Sequence, residues 1–281
     1  TVNSSLNFDK LHLGDKFENL IYLNDGKIET SVKDKNLRIK LDSRYSFYKE
    51  KNINSKKNNF IKINIIKDKN KDTNVETFFN ADKIKLNPNE FVKYLNIRND
   101  LVKDQIIELN SNNKINFIIN NKNRIENLKV KSNLKFDKLK INYRLNQLKK
   151  LIPDFNNEIY LIGDNFEIDY SKDKFKIQGD GKYILKNKPE NFKINILNKK
   201  QLYEFETSFN LNSFLINIDQ INYLKEEDVV SNIKLKGKYL KNKNLFIKKI
   251  KFLENNNKIF VSNLNLAKNF KIKNFDNLEF Y

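Results

Sequence analysis

Apolar and polar residues alternate along most of this chain of 281 residues. Clear cases are Leu37, Ile39 and Leu41, then Ile61, Ile63 and Ile65, and later Tyr203 and Phe205. Strict alternation is typical of a strand that buries only one face. The alternating apolar residues are also β-formers by type, mainly Ile, Phe, Tyr and Val. The order of residues therefore predicts a mainly β protein whose strands each have one apolar face.

Helical periodicity is confined to two short segments. Asn87 can cap a helix, Pro88 suits its first turn and Glu90 follows the cap by three residues, which predicts a helix near residues 88–96. A weaker pattern runs through residues 143–152 and ends at Pro153. We therefore expect an antiparallel sheet with one or two short helices.

The composition is strongly biased, and this bias limits what the charge can say about function. The chain has 50 Asn and 49 Lys but only 5 Arg and 2 Ala, and its formal net charge is +19. Lys, Asn, Ile, Phe and Tyr are encoded by A/T-rich codons, whereas Ala and Arg need G/C-rich ones. We interpret most of the positive charge as codon bias. Such a bias cannot produce alternation, so the order of residues is the informative feature.

Several classes of protein are excluded by what the sequence lacks. There is no Cys, which excludes disulfides and thiolate metal sites. His12 is the only His, so a zinc site with several His ligands is impossible. Apolar runs reach only about four residues, far short of the roughly 20 that a transmembrane helix needs. The chain begins with Thr1 and contains no Met, so we expect it to be a piece of a longer protein.

A short pattern, apolar-Asp-polar-Leu/Ile-x-apolar, recurs five times. The copies occupy residues 8–13, 81–86, 136–141, 218–223 and 275–280. Apolar parity flips across the two polar residues of each copy, so a strand there must contain an extra residue or a turn, and Asp can bond to nearby backbone groups. Copies two and four are 137 residues apart. This spacing predicts two units, residues 1–142 with the helix near 88–96, and residues 143–281.

A long sheet with one apolar face has two ways to keep that face from water. It can cover the face with its own second layer, as a sandwich does. Alternatively, it can curl into a groove and leave the face to an apolar ligand. Periodicity alone leaves both arrangements open.

Two segments of the chain resemble a known family. They are "SNLKFDKLKINY" at 132–143 and "IKLKGKYLKNKNLFIKKIKFLENNNKIFVSNLNL" at 233–266, with the step Gly237-Lys238-Tyr239. They are similar to the AsmA-like family, most of all to its large TamB- and YhdP-type members from Gram-negative bacteria. The likeness is strongest over the last 170 residues or so.

The resemblance implies an elongated, repeating β-groove that transfers lipid. In that family an N-terminal helix anchors the protein in the inner membrane, and the groove carries phospholipid acyl chains across the periplasm toward the outer membrane. This chain would then be an internal or C-terminal periplasmic segment that supports outer-membrane biogenesis. Its partners would be phospholipid and the surfaces or proteins of both membranes. The transfer has no chemical step, so no cofactor or catalytic residue is expected.

The expected lining of the groove follows from the apolar parity of the strands. We predict that it comprises Leu134, Phe136, Leu139, Ile141, Phe166, Ile168, Phe175, Ile177, Phe205, Phe209, Ile233 and Leu235.

No pattern of catalytic or metal-binding residues stands out. The chain has no candidate nucleophile-base pair, so we do not expect an enzyme. Four acidic residues between Asp164 and Asp173 lie close together but do not match a calcium loop. Gly179-Asp180-Gly181 is no phosphate loop, because no helix start and no Lys-Ser/Thr follow it. Its glycines share the inward parity of Ile177, which favours a close backbone approach or a bulge.

Two alternatives to the lipid groove are a nucleic-acid-binding protein and a structural protein. A net charge of +19 and 12% aromatic residues would suit a nucleic-acid surface. However, Lys far outnumbers Arg and is spread along the chain, whereas phosphate and base contacts favour Arg. We therefore expect no specific nucleic-acid partner. The main alternative is a structural or adhesive β-repeat protein that fills its own core.

Overall fold

The structure is a computed structural model. It describes residues 1–12, 21–47, 59–69, 71–86, 105–142, 152–153, 158–185, 188–218, 222–240, 245–267 and 271–281.

The described residues are mainly β, as predicted, and form eighteen strands. These are β1 Val2–His12, β2 Ile21–Lys33, β3 Asn36–Phe47, β4 Phe60–Lys67, β5 Thr73–Leu86, β6 Ile107–Ile119, β7 Ile125–Asn142, β8 Glu158–Ser171, β9 Lys174–Ile184, β10 Glu190–Lys199, β11 Leu202–Asn210, β12 Ile216–Ile218, β13 Tyr223–Lys225, β14 Ser231–Leu240, β15 Leu245–Glu254, β16 Asn257–Leu266, β17 Ile272–Asn274 and β18 Asn277–Phe280.

Sixteen of these strands form one open antiparallel sheet. Strands β1 to β11 follow one another in sequence order, and β14, β15, β16 and β17 continue the sheet. Strand β18 also pairs with β16, while β12 and β13 form a separate two-stranded hairpin. Neighbouring strands of the sheet are therefore nearly always neighbours in the chain.

Two compact units divide the chain. Unit 1 comprises residues 1–84, 109–134 and 168–172, and unit 2 comprises residues 85–108, 135–167 and 173–281. Each unit therefore collects several separate stretches of sequence. The division at residues 142 and 143 stays a prediction of the sequence.

No helix is present among the described residues. The predicted helix at 88–96 lies outside them, and so does the candidate at 143–152 apart from Ile152, which is in a bend. Over the same described ranges, no helix has the length and apolarity needed to cross a membrane.

The second copy of the repeated pattern forms a bulge in β5. Ala81 and Ile84 are both buried, although residues three apart in a regular strand face opposite sides. Lys83 between them has a φ of 47°, and the amide N–H of Asp82 donates to Asn59 Oδ1 at 2.7 Å. The extra residue thus returns the apolar side chains to the buried face, as the change of parity predicts.

Three of the other copies lie at an irregularity of a strand or between two strands. The first copy lies in β1, which pairs with β2 as far as His12, and its Leu13 lies outside the described part of the chain. In β7, Asp137 and Lys138 are both exposed and are followed by the buried Leu139. Strands β17 and β18 lie along β16 and are interrupted at Asp276, whose carboxylate accepts a hydrogen bond from Asn263. The copy at 218–223 joins the two strands of the β12–β13 hairpin, and its residues 219–221 lie outside the described part of the chain.

Candidate functional site

A continuous apolar row crosses the sheet of unit 2. Ile196 on β10 lies directly opposite Ile177 on β9 and Phe205 on β11. Phe205 in turn lies opposite Gly237 on β14, and Gly237 lies opposite Ile247 on β15. Residues opposed in this way present their side chains on the same face of the sheet. The row therefore forms an apolar strip across five strands.

Two further rows run parallel to this strip on the same face. They are Ile194, Thr207, Leu235, Ile250 and Val261, and Phe192, Phe209, Ile233, Phe252 and Ile259. We call the three rows together the apolar face of unit 2. The alternating residues between them point to the other side of the sheet, where Lys238 pairs with Glu204 at 3.1 Å and Lys236 with Glu206 at 2.9 Å.

Unit 1 has an apolar face of the same kind. Ile65 on β4 lies opposite Ile39 on β3 and Val75 on β5. In the next row Leu41 lies opposite Ile63. Val75 is buried, whereas the other four residues are only half-buried.

One end of the apolar face of unit 2 is covered by the β12–β13 hairpin. Phe214, just before this hairpin, is 1% exposed and stacks on Tyr183 with ring centroids 6.2 Å apart and an angle of 13° between the planes. Tyr223 of the hairpin packs edge-on against Phe252 at 5.9 Å. Ile216 belongs to the same buried cluster. The row of Phe192 to Ile259 is therefore enclosed at this end.

A buried lysine holds the hairpin closed. The side chain of Lys225 is fully buried, and its Nζ donates to the backbone carbonyls of Asn212 at 3.0 Å, Phe214 at 2.7 Å and Glu226 at 2.8 Å. Burial lowers the pKa of this amine. Three charge-assisted hydrogen bonds compensate for removing the ammonium group from water.

Glu190 reinforces the same closure. Its buried carboxylate accepts hydrogen bonds from the amide N–H of Ser213 at 2.8 Å and from Asn212 Nδ2 at 3.1 Å. Asn212 Oδ1 in turn accepts from the amide of Ser231 at 2.7 Å. The segment before the hairpin is thus bonded to both β10 and β14.

Asp164 is a third buried charged group in unit 2. Its side chain is fully buried against Gly181, and Oδ1 accepts the amide N–H of Lys182 at 2.8 Å. The other carboxylate oxygen, Oδ2, has no hydrogen-bond partner among the described residues. Burial raises the pKa of Asp164 to about 6.

Half-burial is the common property of the predicted groove lining. Leu139 is buried, and the other eleven residues are each partly exposed. The register brings Ile177 and Phe205 into one row through Ile196, and places Phe209 opposite Ile233. Phe136 contacts Phe166 edge-on at 5.9 Å. Leu134 and Ile168 belong to unit 1 and the other ten to unit 2.

Three of the predicted lining residues contribute to a closed core. Phe166, Phe209 and Ile233 pack against the buried cluster beneath the hairpin. The alternation of apolar and polar residues does not reveal the covering residues, in particular Phe214 and Lys225. The available signal was the apolar run at residues 214–216, which interrupts the alternation between two polar stretches.

Metal chemistry has no support in the described part of the chain. Within those ranges, no three His, Asp or Glu side chains converge to form a metal site.

Comparisons with protein-family models, with curated proteins and with solved structures found no match to this chain. The candidate site therefore rests on its own geometry.

Proposed function

We propose that the apolar face of unit 2 binds phospholipid acyl chains and carries them along the sheet without a chemical step. The observation that supports this proposal is the row from Ile177 to Ile247. Ile177, Ile196 and Phe205 in this row are only half-buried, whereas the row through Phe192 is enclosed by the hairpin. An apolar strip that the described residues leave partly open suits an apolar ligand.

The energy of such binding comes from burial alone. Each CH₂ group removed from water contributes about 0.8 kcal/mol. A strip of Ile, Leu and Phe offers this gain along its whole length without a specific polar contact. A headgroup would stay in water at the rim of the strip. Passage along the strip then needs no bond to form or break.

The wider setting of the proposal follows the AsmA-like resemblance. We infer a repeating β-groove in which this chain is one periplasmic segment of a longer protein anchored in the inner membrane. The cargo would be phospholipid on its way between the inner and outer membranes, in support of outer-membrane biogenesis. The protein would be a carrier rather than an enzyme and would use no cofactor.

A structural or adhesive β-repeat protein is the second candidate. It is favoured by the enclosed end of the apolar face, where Phe214 and Ile216 fill the space that a ligand would otherwise occupy. The two candidates differ in what covers Phe205. A lipid carrier needs that row accessible to an acyl chain, whereas a self-filled protein needs it covered by protein.

Native mass spectrometry of the protein purified from a lipid-containing bacterial host tests the proposal. We expect phospholipid to remain bound and to be displaced by a fluorescent fatty acid. A protein that is free of lipid and does not take up the fluorescent fatty acid would favour the structural candidate.

A further inference from the structure

Strand β15 carries part of a cluster of like charges on the polar side of the sheet. Lys251 lies directly opposite Lys234 on β14, and Lys249 lies directly opposite Lys236. On its other side Lys251 faces Phe260, and Lys249 faces Ser262, both on β16. The register therefore puts two lysine pairs side by side and no carboxylate opposite β15 at these positions.

Elsewhere on the polar side, several lysines face acidic residues, although Lys174 and Lys199 also lie opposite one another. Lys40 lies opposite Glu29, and Lys193 lies opposite Asp180. Lys62 lies opposite Asp42, with Nζ and Oδ2 3.1 Å apart. Codon bias accounts for the number of lysines, whereas the register sets which of them lie together, and on β14 and β15 it places two opposed lysine pairs in neighbouring rows.

Like charges directly opposite one another weaken a sheet. At the edge of the patch, Lys236 and Lys238 are paired with Glu206 and Glu204 of β11. A chain that places carboxylates this accurately on β11 could place them on β15 as well. A partner with negative charge would turn the repulsion of the lysine pairs into attraction.

We infer that Lys234, Lys236, Lys249 and Lys251 form a docking surface for a lipid bilayer that carries anionic headgroups. The four amines lie on two adjacent strands about 4.8 Å apart, in two rows about 7 Å apart along the strands. They therefore cover an area rather than a line. Each lysine near an anionic bilayer adds attraction that needs no fixed geometry.

An aromatic ring lies at the same patch and suits a bilayer interface. Phe260 is half-buried between Lys251 and the β18 residue Glu279, and Lys249 Nζ lies 5.0 Å from its ring centroid. Segments that lie on membranes typically combine lysines with apolar or aromatic side chains such as Phe. The patch contains no Arg, the residue that gives the bidentate phosphate contacts of nucleic-acid recognition.

The docking surface is distinct from the acyl-binding strip. Lys234 to Lys251 lie on the opposite side of the sheet from the row of Leu235 and Ile250. Membrane docking and acyl-chain binding can therefore be tested independently of each other. It adds a place where the carrier would contact the membrane that supplies or receives its cargo.

Vesicle co-sedimentation tests the inference with the whole chain. We expect the protein to bind vesicles that contain phosphatidylglycerol, to ignore vesicles of phosphatidylcholine alone, and to be released by high salt. The variant Lys234→Gln, Lys249→Gln, Lys251→Gln should bind about tenfold more weakly or worse. The matched control is Lys27→Gln, Lys40→Gln, Lys62→Gln, which removes the same charge from lysines near Glu29 and Asp42 and should bind as the parent does.

A second variant separates docking from folding. Lys251→Glu places a carboxylate opposite Lys234, so it should raise the midpoint of thermal unfolding while weakening vesicle binding. Failure to bind anionic vesicles, an equal loss in both triple variants, or tighter binding to duplex DNA than to vesicles would each overturn the inference. None of these measurements involves the uptake of fatty acid by the apolar face.

Discussion

The ring of Phe205 lies over Gly237, its direct partner on the neighbouring strand. A β-carbon built on Gly237 would come within 2.7 Å of Phe205 Cζ. The same relationship joins Phe8 to Gly26, while Phe166 covers Gly179. A glycine in a strand leaves a gap in the row of side chains, and a neighbouring ring that fills the gap restores packing. A phenylalanine ring thus packs against the backbone of three of the six glycines.

Gly179→Ala should destabilise the protein by about 1–3 kcal/mol, because its β-carbon would lie 2.7 Å from Phe166 Cε1. Adding Phe166→Ala should recover part of this loss, since the close contacts are mainly with that ring. Chemical denaturation of the two single variants and the double variant measures the coupling energy.

Gly237→Ala provides the control for this double-mutant cycle of Gly179 and Phe166. Its β-carbon would also lie 2.5 Å from the backbone oxygen of Phe246, which cannot turn aside. Phe205→Ala should therefore fail to rescue Gly237→Ala. Rescue of both glycine variants to the same degree would contradict the assignment of the clashes.

Phe205→Asp and Phe209→Asp should destabilise the protein to different degrees. Phe205 lies in the partly open row, so Phe205→Asp should lower the free energy of unfolding by about 1–2 kcal/mol. It should also cause a loss of fatty-acid uptake. Phe209 contacts Phe192 at 6.3 Å and Tyr183 at 5.7 Å beside the enclosed core, so its replacement should cost about 3–5 kcal/mol. Circular dichroism with denaturant gives the stability and a fluorescent fatty acid gives the uptake. Equal unfolding of both variants would favour the self-filled alternative.

Asp164 should make stability depend on pH between about 4 and 6. Burial raises its pKa from the ordinary value of 3.8 to about 6 in the folded protein, so the folded state holds the proton more tightly. Stability from this group is therefore greatest below pH 4 and is lost as the pH rises through 6.

Asp164→Asn should remove this dependence while keeping the acceptor for the Lys182 amide. We expect the variant to be more stable than the parent by about 2 kcal/mol at pH 7 and similar to it at pH 4. Urea unfolding at both pH values gives the difference. A constant difference at the two pH values would show that the effect does not come from ionisation.

Lys225→Met should loosen the β12–β13 hairpin. The substitution keeps the length of the side chain but leaves the carbonyls of Asn212, Phe214 and Glu226 without their donor, at a cost of about 3 kcal/mol or more. Hydrogen exchange should accelerate in the hairpin more than in β10. Lys193→Met, which removes an exposed amine, is the control and should leave exchange in the hairpin unchanged.

Local order in the sequence predicted the strands and their faces because strand geometry has a period of two. The parity of Ile177, Phe205 and Leu235 identified residues that do lie on one face. The inward parity of Gly179 predicted a close backbone approach or a bulge, and in the structure the ring of Phe166 packs against this glycine. Such inferences need only the nearest neighbours along the chain.

Contacts between residues that are far apart in the sequence could not be predicted in the same way. The cover that Phe214 provides for Tyr183 joins residues about 30 positions apart, and alternation carries no information about it. The lysine pair of Lys234 and Lys251 depends on the bulge that shifts register at Lys236 and Gly237. A one-residue error there would pair different side chains.

The bulge at Lys83 has a consequence for how such a chain can change in length. Deleting one residue from the middle of β4, for example Ile63, would turn every later side chain of that strand to the wrong face. Deleting Lys83 would instead leave the residues before it on their face and alter only the short end of β5. Insertions and deletions should therefore survive mainly at the bulges, which makes these positions the points where a sheet of this kind can gain or lose length during evolution.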